Sequence, residues 1–244
     1  MQLQGKTALV TGGGRGIGRA IALDFAKQGA SVCAAARSKS QVDAVAQEIQ
    51  SMGCRAIAVE CDVTDLAAVE RMVGFTIESL GSIDILVNNA GGGEERKMVG
   101  DDDPVTWKHV IEVNLLGTYF VSRAVLPHMK SSGGGAIINI GSGMGHQARA
   151  GNSSYNAAKA AQWMFTRCLA MEVWQDNITV NEIIPGPVYT ELTASVFQQD
   201  QPHPVVESEW VKGPDEVAPL AVFLAAQGKK GPTAQSFSLA RRPL

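Results

Sequence analysis

Short, continuously apolar runs rich in branched residues alternate along this chain with longer stretches whose apolar positions recur every three or four residues. The runs at 6–11, 31–36, 55–60, 84–88, 135–141, 178–184 and 235–239 predict strands. The stretches at 16–28, 39–52, 65–80, 104–131, 154–175 and 214–226 predict helices. Strands separated by single helices cannot pair as hairpins, so they pair in parallel through right-handed crossovers. Strands apolar on both faces need helices above and below them. The pattern therefore predicts an α/β fold: a three-layer, doubly wound parallel sheet of about seven strands, in a single domain over 1–244. Only 189–213 carries neither period. A structureless loop of that length in a compact domain is commonly a lid or binding loop. Leu192, Val196, Phe197 and Trp210 give it apolar cover, Pro202 and Pro204 limit its freedom, and closure over a substrate is expected.

In open parallel sheets the ligand sits outside the carboxyl ends of the strands. The first strand runs directly into Thr11-Gly12-Gly13-Gly14-Arg15-Gly16-Ile17-Gly18, and a helical pattern follows at once. Strand, glycine turn, helix is the order a phosphate cradle requires. Glycines permit the tight turn and bring backbone N–H groups onto an anion, and the helix N-terminus adds positive potential. The plainer alternative is a glycine-rich turn without a ligand. Small, polar or turn-forming residues collect at the other strand ends too: Arg37, Asp62, Asn88-Asn89-Ala90-Gly91, Gly141-Ser142-Gly143 and Pro185-Gly186-Pro187.

At the end of the second strand Ala36 stands where a carboxylate would hold the ribose 2′-hydroxyl of NAD, and Arg37 offers a guanidinium suited to a 2′-phosphate. Arg15 offers a second positive charge. This favours NADP over NAD. Asp62 suits the adenine amino group; its bland reading is a helix cap, a role that Thr64 and Asp65 fill better. The small residues of Asn88-Asn89-Ala90-Gly91 let backbone pass close to a ring or ribose, or simply end a strand. Asn114 lies in an apolar helical run. It is either a core amide satisfied by neighbouring backbone or the mark of a kinked helix whose freed carbonyl holds a water.

Tyr155 and Lys159 are four apart and share a helix face. A phenol of pKa ~10 is a poor acid or base at neutral pH, but a nearby ammonium lowers that pKa. Such a tyrosine can protonate a carbonyl oxygen as hydride arrives, or take the proton from an alcohol in reverse. Ser142 is placed to bond the same oxygen. A solvated helix face is the plain alternative; the surrounding alanines argue against it.

The chain has 244 residues and a net charge of -3, with basic residues scattered, so no polyanion partner is implied. No apolar run reaches the ~18 residues of a membrane span. The first residues show no signal-peptide h-region, so a cytoplasmic protein is expected. Cys33, Cys54, Cys61 and Cys168 have no metal-ligand spacing and read as reduced packing residues. The four histidines have none either, so no metal is expected. Of them His146 could line the pocket or be a satisfied loop residue. Glu182 is a carboxylate on a central strand and must be paired or near the surface. The pocket is bounded by 92–96, 144–152 and 189–213. Glu94 and Glu95 there either favour a cationic substrate or form a solvated cluster.

These pieces, taken together and in this order, resemble the short-chain dehydrogenase/reductase family in its compact single-domain form. The matching residues are the glycine motif from Thr11 to Gly18, Asp62, Asn88 to Gly91, Asn114, Ser142, Tyr155 with Lys159, and Pro185-Gly186-Pro187-Val188-Tyr189-Thr190. By that resemblance Tyr155 is the acid/base, Lys159 lowers its pKa and holds the nicotinamide ribose, and Ser142 orients the substrate carbonyl. Asn114 keeps a water in a relay to Lys159. The cofactor would meet Gly12, Gly14, Arg15, Gly16, Ile17, Gly18, Arg37, Asp62, Val63, Asn89, Ala90 and Gly91, then Pro185, Gly186, Val188 and Thr190. Within the family the chain is similar to NADPH-dependent carbonyl and 3-oxoacyl reductases. The resemblance implies a small carbonyl or alcohol substrate and a homotetramer or homodimer. The rivals are an NAD-dependent alcohol or sugar dehydrogenase running oxidatively and a nucleotide-binding module without turnover. The chain departs from the family's usual Gly-Gly ending of the last strand: a basic tail, Arg241-Arg242-Pro243-Leu244, stands there, able to reach a neighbouring subunit or its pocket.

Overall fold

A computed structural model describes residues 1–93, 96–204 and 206–243. Seven strands form one parallel sheet: β1 (Thr7–Thr11), β2 (Ser31–Ala36), β3 (Ala56–Glu60), β4 (Ile85–Asn88), β5 (Gly135–Ile140), β6 (Ile178–Ile184) and β7 (Ser236–Ser238). Their order across the sheet is β3-β2-β1-β4-β5-β6-β7. The chain therefore winds outward from β1 to β3, returns, and winds the other way from β4. The reversal opens a crevice between the carboxyl ends of β1 and β4, the switch point where such sheets bind ligands.

Alternate strand residues face opposite layers. Ala8, Val10, Val32, Ala34 and Ile138 pack with α1 (Gly16–Lys27), α2 (Lys39–Ser51) and α7 (Ala218–Ala226). Leu9, Cys33, Ala35, Leu86 and Ile137 pack with α3 (Leu66–Leu80), α5 (Gly117–Ser131) and α6 (Ser153–Val173). Each fully buried Val, Ile or Leu contributes roughly 1.5–3 kcal/mol. Asp65 caps α3 by accepting from the Ala67 and Ala68 amides at 2.9 and 3.2 Å.

The helix expected over 104–131 is three segments: α4 (Pro104–Ile111), a π turn over Glu112–Leu116, and α5. In the π turn the Gly117 amide reaches back five residues to the Glu112 carbonyl. The buried amide of Asn114 competes for a helix carbonyl, and hydrophobic periodicity does not register that. The 214–226 helix likewise splits into a 3-10 turn, Pro214–Glu216, and α7. The stretch 189–213 is not structureless. It doubles back on itself, with Tyr189 N bonding Lys212 O at 2.8 Å and Val211 N bonding Gln201 O at 2.9 Å. Polar backbone pairing of that kind has no hydrophobic period to announce it.

Candidate active site

The carboxyl ends of the strands surround a cavity of about 490 Å³. At one end it is lined by the glycine turn. Gly12 has φ +61°, and a Cβ there would lie 2.7 Å from Asn89 Nδ2. Asn89 fixes the turn by donating to the Thr11 and Gly12 carbonyls at 3.0 and 3.1 Å. Thr11 Oγ1 accepts the Asn89 and Ala90 amides at 3.1 and 3.2 Å, joining β1 to β4. No side chain caps the N-terminus of α1, whose first amides face the cavity at Gly16 and Ile17. Gly12, Gly14 and Arg15 also line it; Gly18 does not. A Cβ on Gly18 would collide with Gly12 O and Asn89 Nδ2, so that glycine serves the close packing beneath the turn.

Beside the glycine turn Ala36, Arg37, Asp62 and Val63 line the cavity. Asp62 Oδ1 accepts the Thr64 amide and hydroxyl at 2.9 and 2.8 Å. Burial works to raise the Asp62 pKa, but those two bonds and the charges of Arg37 and His109 outweigh it and hold the carboxyl below its usual range. Arg15, expected beside Arg37, instead pairs with Glu191 of the 189–213 segment at 2.7 Å. Asn89, Ala90 and Gly91 line the middle of the cavity, while Asn88 turns inward to Ser122 and Asn139 at 3.0 and 2.9 Å.

At the far end β5 delivers Ser142, and one face of α6 delivers Tyr155 and Lys159. Pro185, Gly186, Val188 and Thr190 form the opposite wall. Leu192 and Phe197 line the cavity, Leu192 while itself exposed; Val196 and Trp210, expected to cover the site, are exposed and do not line it. Burial raises the Tyr155 pKa, and a hydrogen bond with Ser142 offsets part of the rise. Lys159 Nζ stands 5.8 Å from the centre of the Tyr155 ring. Lys159 is only 3% exposed, and its Nζ is engaged elsewhere: it donates to Ile140 O at 2.8 Å and to Gln162 Oε1 at 3.0 Å. Burial depresses its own pKa to about 8, against an opposing pull from Glu182.

Asn114 combines both readings open to it. Its amide donates to Gly92 O and Val110 O at 2.7 and 2.9 Å, and its Oδ1 accepts the Gly92 amide at 3.2 Å. It is thus a satisfied core amide and the centre of the helix distortion. Its backbone carbonyl accepts the Thr118 hydroxyl at 3.0 Å, and a carbonyl has a second lone pair for a water. Gln162 Nε2 donates to the same Thr118 hydroxyl at 2.8 Å, so side chains link Lys159 to the Asn114 carbonyl. Sequence reasoning missed Gln162 and Thr118. The available signal was a polar residue three or four positions from a functional one, on an otherwise apolar helix.

Other expectations resolve here. Glu182 pairs with His146, Nε2 to Oε2 at 3.3 Å, and with Ser236 Oγ at 2.5 Å. His146 stacks on Trp163, with ring centroids 5.1 Å apart, and does not line the cavity. The basic tail folds onto its own chain. Buried Glu209 accepts the Arg241 amide at 3.1 Å and pairs with Arg242 at 3.2 Å, and Gln147 donates to Pro243 O at 3.2 Å. Leu244 lies outside the described residues, as do Glu94, Glu95 and Val205. All four cysteines are free; burial lifts Cys33 to about 12 and Cys61 to about 11, but Cys168 is exposed rather than packed. Among the described residues no three His, Cys, Asp or Glu could hold a metal, and no helix is long and apolar enough to cross a membrane.

The short chain dehydrogenase family model matches residues 6–201, which contain every element of this cavity. The chain is a short-chain dehydrogenase/reductase. It is 34% identical over 229 residues to 7alpha-hydroxysteroid dehydrogenase of Escherichia coli strain K12, covering 93% of this chain and 89% of that protein. It is 37% identical over 228 residues to the 3-oxoacyl-(acyl-carrier-protein) reductase FabG of Vibrio harveyi, covering 93% and 92%. A 7 alpha-hydroxysteroid dehydrogenase solved with NADH and 7-oxo glycochenodeoxycholic acid superposes with TM-score 0.90 at 32% identity, over 99% of this chain and 95% of that one. A short-chain dehydrogenase/reductase from Mycobacterium marinum superposes with TM-score 0.89 at 31% identity, over 98% and 95%. The protein is accordingly an oxidoreductase of the carbonyl/alcohol interconversion, with a nicotinamide cofactor.

Proposed function

We propose that this enzyme runs as a reductase, converting a ketone or β-keto carbonyl to a secondary alcohol with NADPH, and that Tyr155 supplies the proton. The observation that supports this reading is that one cavity brings Ser142, Tyr155 and Lys159 together with Arg37 and Ala36. The Tyr155 and Ser142 side chains are hydrogen-bonded to each other, so both can meet one substrate oxygen. A bound nicotinamide cofactor supplies the hydride.

The residues present fit such a cofactor. The glycine turn packs too closely on its neighbours for side chains at Gly12, Gly13, Gly14 or Gly18, which keeps its backbone open to the cavity, and the α1 N-terminus, without a side-chain cap, would offer its amides to a pyrophosphate. Arg37, next to Ala36, would pair with the 2′-phosphate, joined by Arg15 once it leaves Glu191. Asp62 and Val63 would meet adenine; Asn89, Ala90 and Gly91 would pass beside the riboses. Pro185, Gly186, Val188 and Thr190 would hold the carboxamide and phosphate. Lys159 would exchange the Gln162 oxygen for ribose hydroxyls and, brought toward Tyr155, ease the proton's departure. Ser142 holds the substrate oxygen against the Tyr155 hydroxyl. Asn114 presents its carbonyl to a water that refills the proton through Lys159.

Leu192 and Phe197 suit a medium-sized organic carbonyl, in keeping with the steroid and oxoacyl substrates named for the relatives. Exposed apolar residues on α5 and α6, including Tyr119, Met164 and Met171, and Trp174 just beyond α6, support assembly as a homotetramer. Four free cysteines are in keeping with a cytoplasmic setting. Incubation with ketones, β-ketoesters and diketones, following absorbance loss of NADPH and NADH in parallel, tests the reading. Turnover is expected with NADPH; faster turnover with NADH, or alcohol oxidation alone, would favour the oxidative rival.

A further inference from the structure

Glu182 is unexplained by the reaction above. It is 1% exposed, on β6, between Asn139 of β5 and Ser236 of β7. Its Oε2 is held by His146 and Ser236, which belong to the loop after β5 and to β7. Its Oε1 is buried and has no hydrogen-bond partner. A carboxyl oxygen kept in that condition is costly unless a charge nearby compensates it.

The compensating charge is identified by the peptide between Ile140 and Gly141. Oε1 lies against Gly141: a Cβ on that residue would collide with it. The carbonyl of Ile140, on the same peptide, accepts the Lys159 ammonium at 2.8 Å. Carboxylate and ammonium therefore converge on one peptide, immediately before Ser142. We propose that Glu182 is a positioning residue of the active site, whose carboxylate, clamped by His146 and Ser236, keeps the buried Lys159 charged and seated at the Ile140–Gly141 peptide. The Gly141 position has to be glycine for this arrangement to exist.

Among the described residues, helix α6 brings to β6, besides Tyr155 and Lys159, only the exposed Arg167, Cys168 and Glu172, and the buried Lys212 ammonium lies beyond the carboxyl end of β6, beside Gly186. Strand β5, strand β7 and helix α7 contain no ionisable side chain. Asp176 sits at the opposite, amino-terminal end of β6 and pairs with Lys130 at 2.8 Å. Lys229 and Lys230, in the turn before β7, are exposed. His146 and Lys159 are the groups that face Glu182, and Glu182 opposes the depression of the Lys159 pKa.

This role rests on Lys159 serving the proposed reaction, but its test does not require turnover. The ε-carbon of Lys159 is titrated by NMR in the cofactor-free full-length chain and in Glu182→Gln, with thermal melting as the check on folding. The midpoint is expected to fall by about one pH unit in the variant. The alkaline limb of kcat for reduction is expected to fall by the same amount, about a tenfold loss of rate above it. If Glu182→Gln is insoluble, the double variant G141A/E182A, whose new methyl fills the vacated space, is read in the same way. An unchanged Lys159 midpoint in a folded variant would overturn the proposal. A Lys159 shift in a protein that turns over without Tyr155 would leave the proposal standing and refute the reaction instead.

Discussion

Replacing Lys159 by methionine removes the charge while keeping much of the stem's volume. In the folded chain burial holds this lysine at about 8, against 10.5 for the free side chain. Between those values the unfolded chain binds a proton that the folded chain does not, so wild-type stability rises with pH across that window. The penalty for carrying the charge is fully present below about pH 8 and is relieved as pH climbs toward 10.5. At about 1.4 kcal/mol per pKa unit the whole effect is about 3 kcal/mol, of which about 2 kcal/mol falls between pH 7 and 9.5. The methionine variant has no such titration. It also leaves the Ile140 carbonyl and the Gln162 amide oxygen short of a donor, a cost of roughly 1–3 kcal/mol that does not change with pH. Urea unfolding of both proteins at half-unit pH steps isolates the term, because every other ionisable group is common to the two. The wild type is expected to gain about 2 kcal/mol on the variant from pH 7 to 9.5. A difference that stays flat across this range would refute the reasoning.

Arg37→Asp should invert cofactor preference, lowering the NADPH-to-NADH ratio of kcat/KM by roughly 10- to 100-fold, the worth of one charge-assisted bond; an unchanged ratio would remove Arg37 from the site. Glu209→Gln should loosen the contacts that tie the tail to the 189–213 segment, giving faster proteolytic cleavage there at about 1–3 kcal/mol lost stability. Cofactor with substrate should slow that cleavage in the wild type, and equal rates with and without them would argue against a closing loop. Sedimentation equilibrium should return four chains, through the uncovered faces of α5 and α6; a monomer would contradict that assembly.

The sheet was legible because its information is local. Runs such as 32–36 and 85–87 are apolar on both faces, and only a covered parallel strand satisfies them. The placement of Asp62, Asn89, Ser142, Pro185 and Gly186 at strand ends followed from topology alone. What escaped the sequence is polar and long-range. The π turn at Glu112–Leu116 depends on where the Asn114 amide finds carbonyls, and period counting is blind to that. Glu182 and its partners His146 and Ser236 are 36 and 54 residues apart. Glu209 and Arg242 meet because the 189–213 segment doubles back, which turns a tail expected to reach outward into an intramolecular strap. Lys159 reaches the Ile140 carbonyl on β5, 19 residues away, a contact that helix periodicity does not announce.

The proton donor is the centre of the proposed chemistry, and Tyr155→Phe tests it with the loss of one oxygen atom. Cofactor binding, followed by quenching of tryptophan fluorescence, should survive with little change, while kcat for ketone reduction by NADPH falls by roughly 100-fold or more. Cofactor that still binds to a phenylalanine variant with wild-type kcat would contradict the assignment.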